Sequence, residues 1–196
     1  GTQGILSRAA DDIIAWNQHG CLSPQVIYIE QFGSLKPERC AEMLAAELEA
    51  RNETVPRGPI STRESAAIST ARRFYKIRSA NSTGALLWES TESTDWTVVY
   101  EDEKTFQNSP LNRFIYIKPI EHLEEALHVL EPVRESVSTV GIAASEARMR
   151  DIANQLAIWG VPRICPLGQM QRPPLAWRHD GRPPLGELVR WSDLET

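Results

Sequence analysis

The stretch VSTVGIAASEARMRDIANQLAIWGVPRIC, residues 137–165, decides the fold class of this chain. Its first part, Val137 to Ala143, is rich in β-branched residues and predicts a strand. Glu146 to Trp159 then carries apolar side chains at helical spacing, and Val161 to Cys165 returns to a strand pattern. Because only a few residues separate these elements, the stretch predicts a βαβ unit with two parallel strands.

The residues before this stretch continue the same alternation. Arg113 to Lys118 predicts a strand that Pro119 ends, and Glu121 to Arg134 predicts a helix. Together with residues 137–165 they form a strand–helix–strand–helix–strand pattern. We therefore expect an α/β fold built on a parallel sheet.

The first half of the chain adds further helices and strands. Leu6 to Gln18 predicts an amphipathic helix, with Ser7 as its N-cap and Gly20 as the left-handed turn that ends it. Gln25 to Glu30 is an almost continuous apolar run, which is typical of a buried parallel strand. The other predicted elements here are helices from Pro37 to Arg51 and from Ser61 or Thr62 to Ile77, and strands at 86–88 and 96–100.

Composition and charge bound the class of function. The chain has 196 residues, a net charge of −5 and 41% hydrophobic residues, as expected for one globular domain. The densest basic cluster, Arg72 and Arg73 with Lys76 and Arg78, lies at helical spacing and predicts a solvated helix face. We therefore expect no nucleic-acid partner. No apolar run approaches the length of a membrane span.

The cysteines and histidines indicate neither disulfides nor a metal centre. Cys21, Cys40 and Cys165 are widely spaced and form no CxxC pair, which predicts reduced thiols in the cytoplasm. The histidines are equally scattered, so we expect no metal site. Cys40 lies on the apolar face of a predicted helix and is expected in the core.

Cys21 differs from the other two cysteines in its neighbours. In NQHGCLSPQ, residues 17–25, it follows a glycine and separates a predicted helix from a predicted strand. A thiol presented on such a turn can act as a nucleophile beside backbone N–H groups. Most free cysteines, however, are small buried apolar residues. His19 either favours the thiolate of Cys21 or is a loop residue that points to solvent.

The chain changes character after residue 165. Residues 166–184 carry five prolines and one tryptophan. Such a loop is typical either of a pocket wall or of a segment that covers an exposed sheet edge. No GxGxxG, GxxxxGK[ST] or GxSxG motif occurs anywhere in the sequence, which therefore predicts no nucleotide cradle of its own.

Two stretches of the chain resemble one family. Residues 12–25, DIIAWNQHGCLSPQ, look like the active-cysteine region of LuxC-type long-chain acyl-CoA reductases, a branch of the aldehyde dehydrogenase superfamily. Residues 161–168, 173–175, 177–181 and 188–191 look like the C-terminal end of the same family. The order and spacing of the stretches, with the βαβαβ pattern between them, are similar too.

The resemblance implies a fold and a fragment. The expected fold is a three-layer α/β sandwich with a mainly parallel sheet, an aldehyde dehydrogenase-like catalytic domain. Residues 1–196 would form this single catalytic domain. The N-terminal domain that binds the cofactor would be absent from this chain.

The resemblance also implies a reaction. Cys21 would take an acyl group from an acyl thioester, and NADPH would reduce it to a fatty aldehyde. The acyl donor would be acyl-CoA or an acylated partner enzyme, and the full-length protein would be a cytoplasmic homo-oligomer. Trp177, His179 and Asp180 would line the path of the substrate.

Two other functions remain open at this point. The first is a cysteine-dependent acyltransferase or thioesterase, with Cys21, His179 and Asp180 as a spatial triad. The second is an interaction domain that keeps the fold without its chemistry.

Overall fold

A four-stranded sheet forms the centre of the computed structural model, which describes residues 1–183, 186–188, 190 and 192–195. Its strands are β1 (Val26–Glu30), β2 (Ala85–Glu89), β3 (Thr97–Glu101) and β4 (Phe114–Ile120). Their order in the sheet is β1-β4-β3-β2. β4 pairs in parallel with β1 and β3, while β2 pairs antiparallel with β3. The predicted α/β class with a mainly parallel sheet is thus confirmed.

Helices cover both faces of this sheet and give it three layers. α1 (Thr2–Ile14) and α2 (Pro37–Thr54) pack on one face, and α3 (Thr62–Asn81) packs on the other. Successive side chains of β3 and β4 alternate between the two faces. Those facing α1 and α2 are Val98, Tyr100, Ile115 and Ile117, and those facing α3 are Val99, Phe114 and Tyr116.

The rest of the described chain forms a second, smaller unit. Its elements are α4 (Leu123–Leu130), a 3₁₀ helix (Glu131–Ser136), β5 (Val140–Ile142), α5 (Glu146–Trp159) and β6 (Ile164–Pro166). β5 and β6 pair in parallel, so the predicted βαβ unit is confirmed. In the described residues it forms a sheet of its own, and the expectation of one sheet continuing from β4 is wrong. The loop after β6 covers β5, since a Cβ on Gly141 would lie 2.9 Å from the sulfur of Met170.

The first helix differs from its prediction at both ends. α1 begins at Thr2, so Ser7 lies inside it and caps nothing, and its hydroxyl accepts a hydrogen bond from Arg51 at 2.8 Å. The helix ends before Trp16, where the backbone enters the left-handed region. Gly20 is not left-handed, so the predicted turn lies earlier in the chain.

Two strand predictions also need correction. β1 is parallel as predicted, but all its residues are half-buried because it forms an edge of the sheet. Pro119 does not end β4, which continues to Ile120 with Pro119 paired to Ile29. The fixed φ of proline is compatible with an extended strand, and only its N–H is missing.

The predicted solvated basic face of α3 is wrong for Arg72, which is buried. Its guanidinium donates to the hydroxyl of Thr97 at 2.8 Å, and to the carbonyl oxygens of Ser93 and Trp96 at 2.6 Å. The turn between β2 and β3 needs donors for its buried carbonyls, and Arg72 supplies them. Arg73 and Lys76 remain exposed.

The other helix predictions hold with small changes. α5 has its predicted bounds, Cys40 is buried, and Ser61 forms a capping box with Glu64 at the start of α3. α4 is shorter than predicted because Pro132 cannot continue an α-helix. None of the described helices combines the length and apolar character needed to cross a membrane. Val189 and Trp191, in the last of the four C-terminal segments quoted above, lie outside the described residues.

Candidate active site

Cys21 lies in a tight turn near the amino-terminal ends of β1, β3 and β4. We call this end of the sheet the amino edge, as distinct from its outer strands. The N–H of Ser23 donates to the carbonyl oxygen of Gly20 at 3.0 Å and closes this turn, with Cys21 in its second position. Cys21 is exposed, whereas Cys40 and Cys165 are buried. Burial raises the pKa of the two buried thiols, which disfavours their thiolates. Of the three thiols, only that of Cys21 is placed to meet a substrate.

Two strained backbone segments meet beside this turn. Residues 16–18 have φ values of 54°, 48° and 65°, and residues 111–113 have φ values of 62°, 57° and 65°. None of these residues is glycine. Asn17 and Asn112 tolerate the left-handed region, whereas each of the other four costs about 1–2 kcal/mol. The N–H of Asn112 donates to the carbonyl oxygen of Asn17 at 2.9 Å, which joins the segments. Backbone strain of this kind clusters at functional sites.

Polar side chains hold the strained segments in place. Arg113 is 1% exposed, and its Nε donates to Oδ1 of Asn17 at 2.8 Å. Nδ2 of Asn17 donates to the carbonyl oxygen of Arg57 at 3.1 Å. Nε2 of the buried Gln18 donates to the carbonyl oxygens of Pro24 and Phe114, at 2.8 and 3.0 Å. These contacts tie the segment before Cys21 to the first residue of β4.

His19 belongs to a short hydrogen-bonded chain that starts on α3. Nδ2 of Asn112 donates to Oε1 of Glu64 at 3.3 Å, and Oδ1 of Asn112 lies 3.0 Å from Nε2 of His19. The hydroxyl of Ser61, then its backbone N–H, then Asn112 lower the pKa of Glu64 to about 2, so its carboxylate is ionised. An ionised carboxylate only accepts, so it orients the amide of Asn112 with Oδ1 toward His19. In neutral His19 this assigns the proton to Nε2 and leaves Nδ1 as an acceptor.

Residues 166–172, called here the strap, run from β6 to the turn of Cys21. The carboxylate of Asp12, on α1, accepts from the N–H groups of Gly168 and Met170 at 2.6 and 3.0 Å. Arg163 donates to the carbonyl oxygens of Met170 and Gln169 at 2.7 and 2.6 Å. Burial raises the pKa of Asp12, although the two backbone hydrogen bonds oppose this. The strap is thus fastened on both sides by buried charged side chains.

The end of the strap contacts the turn of Cys21 directly. Nε2 of Gln171 donates to the hydroxyl oxygen of Ser23 at 2.8 Å. Gln171 and Asp12 were not predicted from the sequence as residues of the site. Gln171 lies in the proline-rich loop, whose position was left open. Asp12 begins the quoted stretch 12–25, but nothing local in that stretch indicates a contact with residues 168–170.

Buried arginine side chains cluster at the amino edge of the sheet. Nη2 of Arg57 donates to Oδ1 of Asp95 at 3.1 Å, but its Nε and Nη1 have no partner among the described residues. Nη1 of Arg113 donates to the carbonyl oxygen of Val55 at 2.9 Å. Burial lowers the pKa of Arg113 and Arg72, and the charge of Arg57 adds to the effect on both. These buried positive charges lie next to the strained segments, one of which contains Arg113.

The other predicted site residues lie in a separate group. The rings of Trp177 and His179 are 4.7 Å apart, and Nδ1 of His179 lies 3.9 Å from Oδ2 of Asp180. Asp180 lines a polar cleft with the 3₁₀ helix 131–136. Within the described residues, no hydrogen bond, ion pair or ring contact joins this group to Cys21, so nothing here supports the triad alternative.

Comparison with known sequences identifies the family. A profile of the family described as "Acyl-CoA reductase (LuxC)" matches residues 2–191. The chain belongs to the LuxC family.

Three LuxC relatives match almost all of the chain. "Long-chain acyl-protein thioester reductase 2" of Photobacterium leiognathi is 30% identical over 194 residues. Proteins named "Long-chain acyl-protein thioester reductase" from Aliivibrio fischeri and Photorhabdus luminescens are 27% and 25% identical over 191 and 187 residues. In each case the match covers 95% of this chain and 36% of the relative. The chain thus spans about a third of the length of these relatives.

The described residues of this LuxC chain contain no glycine-rich phosphate-binding turn. Where a helix follows a strand, as α2 follows β1 and α5 follows β5, the connecting turn lacks the glycine-rich sequence that lets a backbone approach a pyrophosphate. No group of three or more His, Cys, Asp or Glu side chains in this part of the protein is placed to hold a metal ion. What the site offers is an exposed thiol, an oriented imidazole and a turn held by the strap.

Proposed function

We propose that this chain forms the nucleophile-bearing catalytic part of a fatty acyl thioester reductase, and that Cys21 is the residue that becomes acylated. The observation that carries the proposal is the placement of Cys21. It is exposed on a turn that two strained segments and the strap hold at the amino edge. The names of the relatives, which are thioester reductases, support the same chemistry.

The proposed step is a transfer of the acyl group between two sulfur atoms. The Sγ of Cys21 attacks the carbonyl carbon of an acyl thioester, and the bond from that carbon to the donor sulfur breaks. We assign the accompanying proton transfer to His19, which lies two residues before Cys21 and whose Nδ1 is left as an acceptor by the contact of Nε2 with Asn112, although no hydrogen bond joins the two side chains in the described residues. In this scheme Nδ1 takes the proton from Cys21 and returns it to the departing thiolate. The products are a free donor thiol and an acyl thioester on Cys21. Because the two thioesters have similar energies, the step is close to balanced.

Reduction of the acyl group completes the proposed activity. A nicotinamide cofactor, NADPH by the family resemblance, supplies the hydride when it is bound. We assign its binding mainly to residues outside this chain, in a cofactor domain that precedes an aldehyde dehydrogenase-like catalytic domain formed by residues 1–196. The product would be a fatty aldehyde.

The acyl donor is proposed from the same family evidence. The relatives are named for acyl-protein thioesters, so we favour an acylated protein, with acyl-CoA as the alternative donor. We further propose that the full-length protein is a cytoplasmic homo-oligomer. Asp180 lines a polar cleft, and the neighbouring His179 contacts the ring of Trp177. In this scheme the three residues would contact the polar part of the donor rather than its acyl chain.

Intact-mass measurement after mixing the full-length protein with a myristoyl thioester tests the nucleophile. We expect one acyl group on the natural protein, and a fall in acylation on the order of 10³-fold or more in Cys21→Ala. Cys165→Ala, which changes a buried thiol, is the matched control and should be acylated normally. An acyl group on Cys21→Ala, or none on the natural protein, would overturn the proposal. Release of free fatty acid without a cofactor would instead support a thioesterase.

A further inference from the structure

We propose that Gln171 is a positioning residue for Cys21, because its amide holds both ends of the nucleophile's turn. This inference rests on the proposed role of Cys21 as the acyl acceptor and adds a residue to that site. Gln171 lies 148 positions from Ser23, and it reaches the turn only through the strap.

The contacts of the amide show how it holds the turn. Nε2 of Gln171 donates to the hydroxyl oxygen of Ser23 at 2.8 Å. A Cβ built on Gly20 would lie 2.8 Å from Oε1 and 3.3 Å from Nε2 of the same amide. The amide therefore packs against the backbone of Gly20 while it binds Ser23. Gly20 and Ser23 are the first and last residues of the turn, and Cys21 lies between them.

These contacts also explain the glycine. The φ of Gly20 is not in the left-handed region, so its backbone conformation is open to any residue. A Cβ at residue 20 would lie 2.8 Å from Oε1 of Gln171 and 3.2 Å from Oγ of Ser23, so the amide at the end of the Gln171 side chain would have to shift. Gly20 is thus a site of close approach between the strap and the turn.

The strap holds the backbone next to Gln171 in place. Asp12 is 2% exposed and accepts from the N–H groups of Gly168 and Met170, the second of which directly precedes Gln171. Arg163 is 7% exposed and binds the carbonyl oxygen of Met170. The backbone on one side of Gln171 is therefore held by two buried charged groups. By contrast, a single backbone hydrogen bond closes the turn of Cys21.

The consequence is geometric control of the thiol. Attack on a bound thioester requires the sulfur to lie close to the carbonyl carbon in one orientation, and a displacement of about 1 Å can cost on the order of 10²-fold in rate. A small soluble reagent has no such requirement, since it approaches the thiol from any open direction. Loss of the amide should therefore slow acyl transfer far more than alkylation.

The first test compares these two rates in full-length protein. In Gln171→Ala and in Ser23→Ala we expect acylation of Cys21 by a myristoyl thioester to slow by about tenfold or more. Alkylation of Cys21 by iodoacetamide should change by less than about threefold, since exposure of the thiol is unaltered. Ser23→Thr keeps the hydroxyl and should recover most of the rate lost in Ser23→Ala. Gln155→Ala, which removes a surface glutamine contact to Asp151 on α5, is the matched control.

The second test uses the close approach at Gly20. Gly20→Ala should displace the amide and slow acylation as much as Gln171→Ala does. The double variant should be no slower than either single variant, because both remove the same contact. Additive losses would contradict the proposal, as would parallel losses of acylation and alkylation, which indicate a collapsed turn.

The outcomes separate this inference from the proposed function. If the natural protein is not acylated on Cys21, the proposed function fails. If it is acylated and Gln171→Ala and Ser23→Ala react at its rate, only the role of Gln171 fails. Should Gln171→Ala not fold, Ser23→Ala and Gly20→Ala still decide the question.

Discussion

The amino edge and the carboxyl edge of the four-stranded sheet differ in how completely their buried polar side chains are paired by hydrogen bonds and ion pairs. At the carboxyl edge, where β1, β3 and β4 end, Glu101 and Lys118 are 1% and 0% exposed and form an ion pair of 2.7 Å. Lys118 also donates to the carbonyl oxygen of Glu103 at 2.6 Å, and the hydroxyl of Tyr75 donates to Glu101 at 3.1 Å. Arg78 adds a second positive charge at 3.0 Å.

The amino edge has the opposite character. Its backbone is strained over residues 16–18 and 111–113. Two nitrogens of the Arg57 guanidinium and Oε1 of Gln18 are buried without a partner among the described residues. The exposed thiol of Cys21 lies at this edge too.

We interpret this difference as a division between an edge that stabilises the fold and an edge that carries the candidate site. A charge cluster in which each group has partners costs little once it is formed, but breaking one member leaves an uncompensated charge. Strain and unpartnered polar groups, by contrast, lower stability and persist where a site requires them. Removing a paired charge at the carboxyl edge should therefore lower stability, whereas relieving strain at the amino edge should raise it. Lys118→Met and Trp16→Gly test this comparison, and Asp12→Ala tests how the strap is held.

The largest expected effect is at the carboxyl edge. Lys118→Met keeps the apolar stem but removes the buried cation that pairs with Glu101 and the donor to the carbonyl oxygen of Glu103. The free energy of unfolding should fall by about 3 kcal/mol, the lower end of the range for a broken buried ion pair, because Arg78 still contacts Glu101. Urea denaturation measures this change. The control is Lys76→Met, whose ion pair with Glu89 is largely exposed on the lysine side and should contribute less than about 1 kcal/mol. Equal losses in the two variants would contradict the comparison.

An intermediate effect is expected where the strap meets α1. Asp12→Ala leaves the N–H groups of Gly168 and Met170 without an acceptor, which should cost about 1–3 kcal/mol of unfolding free energy. The same variant should slow acylation of Cys21, because Asp12 would no longer hold the backbone that carries Gln171. Asp11→Ala removes a carboxylate that is 52% exposed and should change both measurements little.

The pH dependence of stability gives this prediction a second measurement. The folded-state pKa of Asp12 is raised by burial, so folding favours its protonated form. Its contribution to stability therefore falls as the pH rises from the ordinary pKa of an aspartate through the raised value. Asp12→Asn should remove this fall. Glu64 has the opposite sign, because its pKa is lowered to about 2 and its contribution is lost only as the pH falls toward that value.

The smallest effect concerns the strain itself. Trp16 is 73% exposed and has a φ of 54°, so Trp16→Gly should relieve backbone strain without losing core packing. We expect the free energy of unfolding to rise by about 0.5–1 kcal/mol. Phe32→Gly is the control, since Phe32 is 83% exposed and does not lie in the left-handed region. If both variants are destabilised alike, the backbone of residues 16–18 is not strained.

Local patterns predicted the elements whose signals are themselves local. The bounds of α5 follow from helical spacing and the glycine after Trp159, and the start of α3 follows from the capping box of Ser61. The end of α1 was missed because Trp16 has no intrinsic preference for the left-handed region. Hydrogen bonds from the distant segment 111–113, and one from Asn17 to the carbonyl oxygen of Arg57, hold the neighbouring Asn17 there.

The residues of the candidate site likewise divide into those that have a local sequence signal and those that only distant contacts place. Cys21 was found because a glycine, a cysteine and a strand follow one another in the sequence. Arg72 was misplaced because helical spacing identifies a face of α3 but not what covers that face. His19 was proposed without its partners, since Asn112 lies 93 positions away.

The sequence by itself determined the α/β class, the candidate nucleophile and membership of the LuxC family, because these depend on short patterns and their order along the chain. Only the tertiary structure decided that β5 and β6 form a sheet apart from β4, and that Asn112 and Gln171 meet the segment around Cys21. The physical reason is that these contacts join groups 93 and 148 positions apart. No backbone propensity or side-chain period acts over that distance, so only packing of the whole chain selects such partners.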